Sequence, residues 1–412
     1  MPAAADAIRA TPEERDRLLS DFVRYCEIES PSGQERKMAD ALTEDLRALG
    51  LEVHEDDSGP ETGSNAGNLL ARIDGPPGSR SIVLCAHLDT VPLDAPVEVA
   101  LRGRQAEDEE DANGDAPAAP REGWFENANE AILGADNKAA VVVMMEVARR
   151  AVREGTPVGI ELLFTTTEEL ALKGAKAFDL SRLRSEFGYV FDHATPIGEI
   201  IVAAPTYYRI DASFHGHAAH AGIRPEDGRN AIAAAAAGIA ALELGRLDPQ
   251  TTANVGVIKG GTAGNVVAER CDVMLEARSI DHDRAYTTAS RIVDSLTAAA
   301  SDSECDVEID VEEQFRGYKL AKSSAPVMAA AAALEAVGFE PSYVNTGGGS
   351  DANAFIARGF PCVNLANGTE RSHQPDESVS TWALEEMLDV ALNLVKACAR
   401  EVPQAPEAPA AP

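Results

Sequence analysis

The chain reads as an α/β protein in which a discontinuous domain with a mostly parallel sheet is interrupted by an inserted ferredoxin-like α+β domain. Three observations predict this. Apolar strand-like runs alternate with helical patterns through the first half of the sequence. From Tyr207 the rhythm changes to β-α-β-β-α-β. After Phe315 the α/β alternation resumes. At 412 residues the chain also exceeds what one hydrophobic core usually supports.

Taken in order, residues 12–50 carry helical periodicity around an extended break at Ser30, Pro31, Ser32 and Gly33. Strand-like runs follow at 68–73, 82–86, 160–164 and 189–191, with a helical pattern over 138–150. The insertion reads as a strand over 207–215, a helix over 230–244, strands at 254–259 and 266–278, a helix over 283–300 and a strand at 306–311. A helix from Ala325, a strand near 342–344, a helix from Ser350, a strand over 362–365 and a final helix to Ala399 complete the pattern. The first part of the discontinuous domain is thus placed at 1–205, the inserted domain at 206–316 and the second part at 317–402. Residues 105–120, acidic and rich in Ala, Pro and Gly, read as a disordered insertion, and the Pro/Ala-rich 403–412 as a disordered tail.

A formal charge of −32 argues against nucleic acid or an anionic membrane as partner, because phosphates would be repelled. No apolar run approaches the ~20 residues that span a bilayer. The start of the chain has no basic segment leading into an apolar stretch, so a cytoplasmic protein is expected. Six scattered cysteines without C-x-x-C spacing read as reduced, buried thiols. A metal site, if present, must then use histidines and carboxylates.

In an open α/β sheet, ligands gather at the carboxyl ends of strands. Polar residues follow the apolar runs at those places. His87 and Asp89 end the run 82–86; a strand-end His can bind a metal while a carboxylate holds its other ring N–H. Asp136 follows Gly134 at a helix start, where an N-cap is the commonest role of Asp. Glu168 and Glu169 are adjacent acids after a strand, a pairing that costs repulsion unless a cation neutralises it or one acid is protonated. Asp192 ends another strand, and His373 lies in a polar loop before the last helix. Each alone is more often structural. Together they form a mixed N/O donor set that suits zinc, with cobalt or manganese as substitutes.

At this point the sequence resembles the zinc metallopeptidase family of aminoacylases, carboxypeptidase G-type enzymes and peptidase T, and is most similar to its peptidase T-like members. The motifs are A-H-L-D-T, G-A-D-N-K-A, T-E-E, a lone strand-end Asp, H-A-G-I-R-P-E-D-G-R-N-A, G-T-x-x-N, G-G-G-S-D-A-N and a late His. The resemblance runs from about Ser30 to the last helix, apart from the acidic insertion. It implies two divalent metal ions, with His87 and Asp192 on one, Glu169 and His373 on the other, and Asp136 bridging. It further implies that Asp89 orients His87, that Glu168 is the general base towards a water activated by both metals, and that His220 donates to the developing oxyanion, often from a partner subunit. Asn265 and Arg278 would grip the substrate carboxylate, and the backbone of Gly347, Gly348 and Gly349 would touch the substrate. The inserted domain would act as lid and homodimer interface. The remaining histidines, at 54, 193, 215, 217 and 282, receive no role.

Asp rather than Glu at 192 resembles the aminopeptidase, dipeptidase and tripeptidase branches, so short peptides are the expected substrate. One departure from peptidase T is that Asn345 and Thr346, not an Arg, precede the glycine run. The rival readings are an aminoacylase or carboxypeptidase-like amidohydrolase, and a catalytically silent metal-binding homologue. The retained Glu168 counts against the silent homologue. A sugar- or nucleotide-binding α/β protein lacks its expected G-x-G-x-x-G or P-loop after a strand.

Overall fold

A computed structural model describes residues 7–103 and 123–399; the segments read as a disordered insertion and tail lie outside them. The chain forms two compact units. One comprises Met1–Val202, Leu320–Asn345 and Ser350–Pro412, the other Ala203–Lys319 and Thr346–Gly349.

The first unit is built on a mixed sheet with the order Val53–Glu55, Leu69–Ile73, Gly159–Thr165, Ser81–His87, Phe187–His193, Cys362–Ala366, Glu199–Ala204. Its four central strands, Gly159–Thr165 to Cys362–Ala366, run parallel; the flanking strands pair antiparallel. Every residue of Gly159–Thr165 is buried, and all but the first of Ser81–His87. Such unbroken burial marks strands covered on both faces. The register sets His87 opposite Thr165 and Leu365 opposite Phe191, so the polar residues that follow these strands emerge at one edge. The helix Ala135–Glu154 packs on Ser81–His87 and against the helices Pro12–Cys26 and Thr381–Cys398. It is apolar nearly all round, as a helix enclosed by its neighbours must be. The helix Pro12–Cys26 opens with a capping box between Thr11 and Glu14, a device worth about 1 kcal/mol.

The sequence reading missed a small antiparallel sheet in this unit, ordered Thr369–Glu370, Ser378–Ser380, Gly123–Asn127, Val99–Gly103. Its strands are two to five residues long, too short for a period-2 pattern to show. Gly103 pairs with Gly123, so the chain leaves for the acidic insertion and returns from it at one closed hairpin position.

The second unit is a five-stranded antiparallel sheet ordered Gly245–Asp248, Thr251–Gly260, Arg270–Ser279, Thr206–His215, Asp306–Phe315, with helices Ala231–Ala240 and His282–Asp302. Burial alternates strictly along Thr206–His215, as in a sheet with one face on a core. Ile210, Phe214, Leu275, Ile292 and Leu296 are at the centre of that core. The helix expected over 230–244 stops at Ala240, and the chain enters the additional edge strand Gly245–Asp248. Gly245, at a φ of +83°, makes the turn that a longer helix would forbid. All six cysteines are buried and unpaired. No described helix is long and apolar enough to cross a membrane.

Candidate metal centre

Seven of the sequence-predicted residues converge in the first unit, His87, Asp89, Asp136, Glu168, Glu169, Asp192 and His373. His87 ends its strand almost fully buried, at 2% exposure. Its Nδ1 lies 2.9 Å from the main-chain oxygen of Asp89 and 3.5 Å from the Asp89 carboxylate. Its Nε2 lies 3.1 Å from Asp136 Oδ1 and 3.5 Å from Asp192 Oδ1, so in the charged form both ring N–H groups face oxygen acceptors. Asp136 reaches both histidines, because its other oxygen lies 3.3 Å from His373 Nε2. The same His373 nitrogen is 2.9 Å from Glu169 Oε1.

Local structure explains each placement. Gly134, at a φ of +76°, turns the chain into the helix Ala135–Glu154, and Asp136 and Asn137 still have non-helical backbones at its entrance. Asp136 therefore points out of the helix start instead of capping it. Asn137 donates from Nδ2 to Asp192 Oδ1 at 3.1 Å. Thr167 adopts left-handed backbone, φ +50°, and a tight turn over Glu168–Leu170 follows the strand Gly159–Thr165. Asp89, fully buried, holds that turn: its two oxygens accept from the main-chain N–H of Glu168 at 2.9 Å and of Glu169 at 3.2 Å. Ser32 Oγ donates to the same carboxylate at 2.6 Å. Asp89 thus ties the His87 strand end to both glutamates, a wider job than orienting one imidazole.

Two donor sets, His87 with Glu168 and Asp192, and His87 with Asp136 and Glu169, each bring their ligand atoms within 4.8 Å of one another. Two carboxylates at that separation repel by about 3 kcal/mol at an effective dielectric constant of about 20. Burial and this crowding shift the affinity of these groups for protons. Burial, aided by Asp192, lifts Glu168 well above the usual carboxylate range. Burial also raises Asp192 to about 8, against the pull of His87. Glu169 is raised by burial although His373 lowers it. Burial opposes charge on His87, yet Asp192 and Asp136 raise it well above an ordinary imidazole. Hydrogen bonds to Asp136 and Glu169 raise His373 to about 10. Imidazoles and carboxylates gathered this closely fit divalent cations, which would neutralise the acids' repulsion and displace the imidazole protons. Asp136 has one oxygen towards each histidine.

Sequence reasoning missed two acids around this centre. Glu377, 1% exposed, accepts at Oε2 from the N–H of Leu133 and of Gly134, both at 2.8 Å, and at Oε1 from the N–H of Asp136 at 2.9 Å. Burial raises it to about 7 despite those donors. Asp351, from the glycine-run motif, is buried against Thr165 Oγ1 at 2.5 Å and Cys85 Sγ at 3.8 Å, and burial raises it to about 6. Their only sequence signal was position, Glu377 four residues after His373 and Asp351 just after the glycines. A cavity of about 440 Å³ adjoins Glu169 and includes Glu29, Ser32, Gln34 and Leu93 in its lining.

The other predicted residues lie in the second unit. His220 is exposed; its Nδ1 accepts from Gly222 N–H at 3.2 Å. A bridge between His220 and Val266, with Ala221 N–H donating to Asn265 O at 2.9 Å, sets His220 and Asn265 side by side along the backbone. Arg278 stacks on the Tyr207 ring at 4.2 Å and binds Glu276 through Nε and Nη2, at 3.2 and 3.0 Å. Its Nη1 donates to Gly347 O at 3.3 Å. The structure therefore joins Arg278 to the glycine run, with its charge already faced by Glu276.

Against protein-family models, residues 83–397 match the description peptidase family M20/M25/M40. An uncharacterised protein of Bacillus subtilis is 33% identical over 385 residues, 93% of this chain and 99% of that protein. The crystal structure of the aminopeptidase PepT from Bacillus cereus is 32% identical, with a TM-score of 0.79, covering 94% of this chain and 99% of that one. A tripeptidase structure from Staphylococcus aureus is 31% identical, with a TM-score of 0.84 and the same coverage.

Proposed function

The chain belongs to peptidase family M20/M25/M40, and on that premise we propose that it hydrolyses the peptide bonds of short peptides with the help of two divalent metal ions, zinc being the best match to its donors. The observation that carries this reading is Asp136, whose two oxygens face two different histidines. His87 and Asp192 would hold one ion, and His373 and Glu169 the other. When bound, the ions acidify water and polarise the scissile carbonyl. Glu168 accepts the proton of the attacking water and delivers it to the departing amine. The raised affinity of Glu168 for a proton suits that shuttling. Asp89 keeps the Glu168 main chain fixed, so the base does not swing away between the two transfers.

His220 is proposed to donate to the developing oxyanion, and Asn265 and Arg278, with the backbone of Gly347, Gly348 and Gly349, to hold the substrate's carboxyl end. The Glu276 partner of Arg278 must yield or share the guanidinium for this to happen. The Glu29 carboxylate at the cavity favours a substrate with a free amino terminus. Unblocked di- and tripeptides should accordingly be cleaved faster than the matching N-acyl amino acids. The measurement is kcat/KM for both series, and the reverse order would favour an aminoacylase-like enzyme.

The second unit is proposed to mediate a homodimer, the Ala-rich helix Ala231–Ala240 allowing close packing through its small side chains. If His220 serves the partner's centre, mixing His220→Ala with Glu168→Ala chains restores activity, because half the dimers are mixed and half their sites are whole, about a quarter of wild type. A mixture shown to contain mixed dimers yet inactive would place His220 in its own chain.

A further inference from the structure

We infer that Glu377 is a positioning residue for the metal centre, its buried carboxylate fixing the turn that aims Asp136 at both histidines. The inference rests on the reading that His87, Asp136 and His373 are metal ligands. Three main-chain donors converge on this one side chain, from Leu133, Gly134 and Asp136, all between 2.8 and 2.9 Å. They belong to the entrance of the helix Ala135–Glu154, where N–H groups have no partner within the helix. No local side chain caps that entrance. A carboxylate from a distant part of the sequence supplies the acceptors, and its negative charge suits the positive end of the helix dipole.

A cap alone would need one donor and any nearby Ser or Asp. Here the acid bonds the residues on both sides of Ala135, including the N–H of Asp136 itself, so it fixes the direction in which the Asp136 side chain leaves the backbone. It also comes from the loop that carries His373, four residues earlier. That loop is braced by Glu377 N–H donating to Gln374 O at 3.0 Å and by the strand Ser378–Ser380 paired to Gly123–Asn127. Glu377 is therefore a link between the loop of one histidine and the turn of the carboxylate that faces it. Without the link, His373 and Asp136 would each find their positions separately, and the centre would be assembled by the metals instead of awaiting them. Partners behind the ligands typically contribute 10–100-fold to metal affinity.

The test titrates metal-free full-length chain with Zn²⁺ or Mn²⁺ by calorimetry, alongside circular dichroism and thermal melting of the same metal-free samples. Glu377→Gln has the same shape, but its amide can accept on one side only and presents N–H to the donors on the other. The expected result is a folded metal-free chain whose affinity for divalent ions falls about 10–100-fold. Glu377→Asp, which keeps the charge, should recover part of the loss. A variant that melts earlier yet binds both ions with wild-type affinity would show a purely structural role and overturn the assignment. Failure of both variants to fold would overturn it as well, since Glu377 would then serve the whole unit and not the centre. A wild-type chain that takes up no divalent ion would remove the proposed centre itself, whereas unchanged binding in Glu377→Gln beside a wild-type chain that binds two ions removes only this inference.

Discussion

Replacing Glu168 by alanine should lower turnover by at least about 10²–10⁴-fold, the usual worth of a general base, while both metals stay bound. The expectation depends on a division of labour between neighbours. Glu169 lies 2.9 Å from His373 Nε2 and is counted among the ligands, whereas Glu168 has burial and the nearby Asp192 raising its pKa, as suits a group that takes and returns a proton. Alanine removes one acid from a crowded set, so the metal-free variant should melt no lower than the parent. Metal content is measured on purified protein and turnover on a short peptide. Near-normal turnover would take Glu168 out of the mechanism. Loss of one metal equivalent instead would make it a ligand, which its grouping with His87 and Asp192 leaves sterically open.

Stripping the metals should abolish activity altogether, and Asp136→Ala should do so in the presence of metal. Asp136 carries the larger burden of the ligands because each of its oxygens faces a different histidine, at 3.1 and 3.3 Å. Its loss should weaken both ions, whereas Glu169→Ala should weaken one. Burial opposes ionisation of Asp136, but His373 and His87 outweigh it and hold its pKa down; in the native chain it is ready to bind as an anion. Metal analysis of the two variants at matched free Zn²⁺ separates these cases. An active preparation free of transition metal and indifferent to chelators would refute the two-metal reading entirely.

Much of this was legible because the central strands are largely apolar, so a His or Asp at the end of one stands out. His87, Glu168, Glu169 and Asp192 were visible for that reason, and His373 because a polar loop preceded a long amphipathic helix. Glu377 was not visible: in the run Gln374, Pro375, Asp376, Glu377 it resembles any solvated acid, and only the folded chain reveals three amides meeting it. The hairpin around the acidic insertion and the strand Ser378–Ser380 were hidden by brevity. Arg278 was legible as a cation but not as one already faced by Glu276, because the partners are two apart on one strand and share a face only once the pleat exists.

The centre also has a direction in time. His87 is made early on the ribosome, but His373 and Glu377 follow only after the whole of Ala203–Lys319 has been synthesised. A nascent chain can form the sheet of that second unit well before His373 and Glu377 are added to the first. Until then the acids of the first unit have neither their second imidazole nor the amide clamp that aims Asp136. On the proposed ligand set, a chain cut short before residue 373 would lack one of the two histidines that face Asp136, however well its sheet has formed.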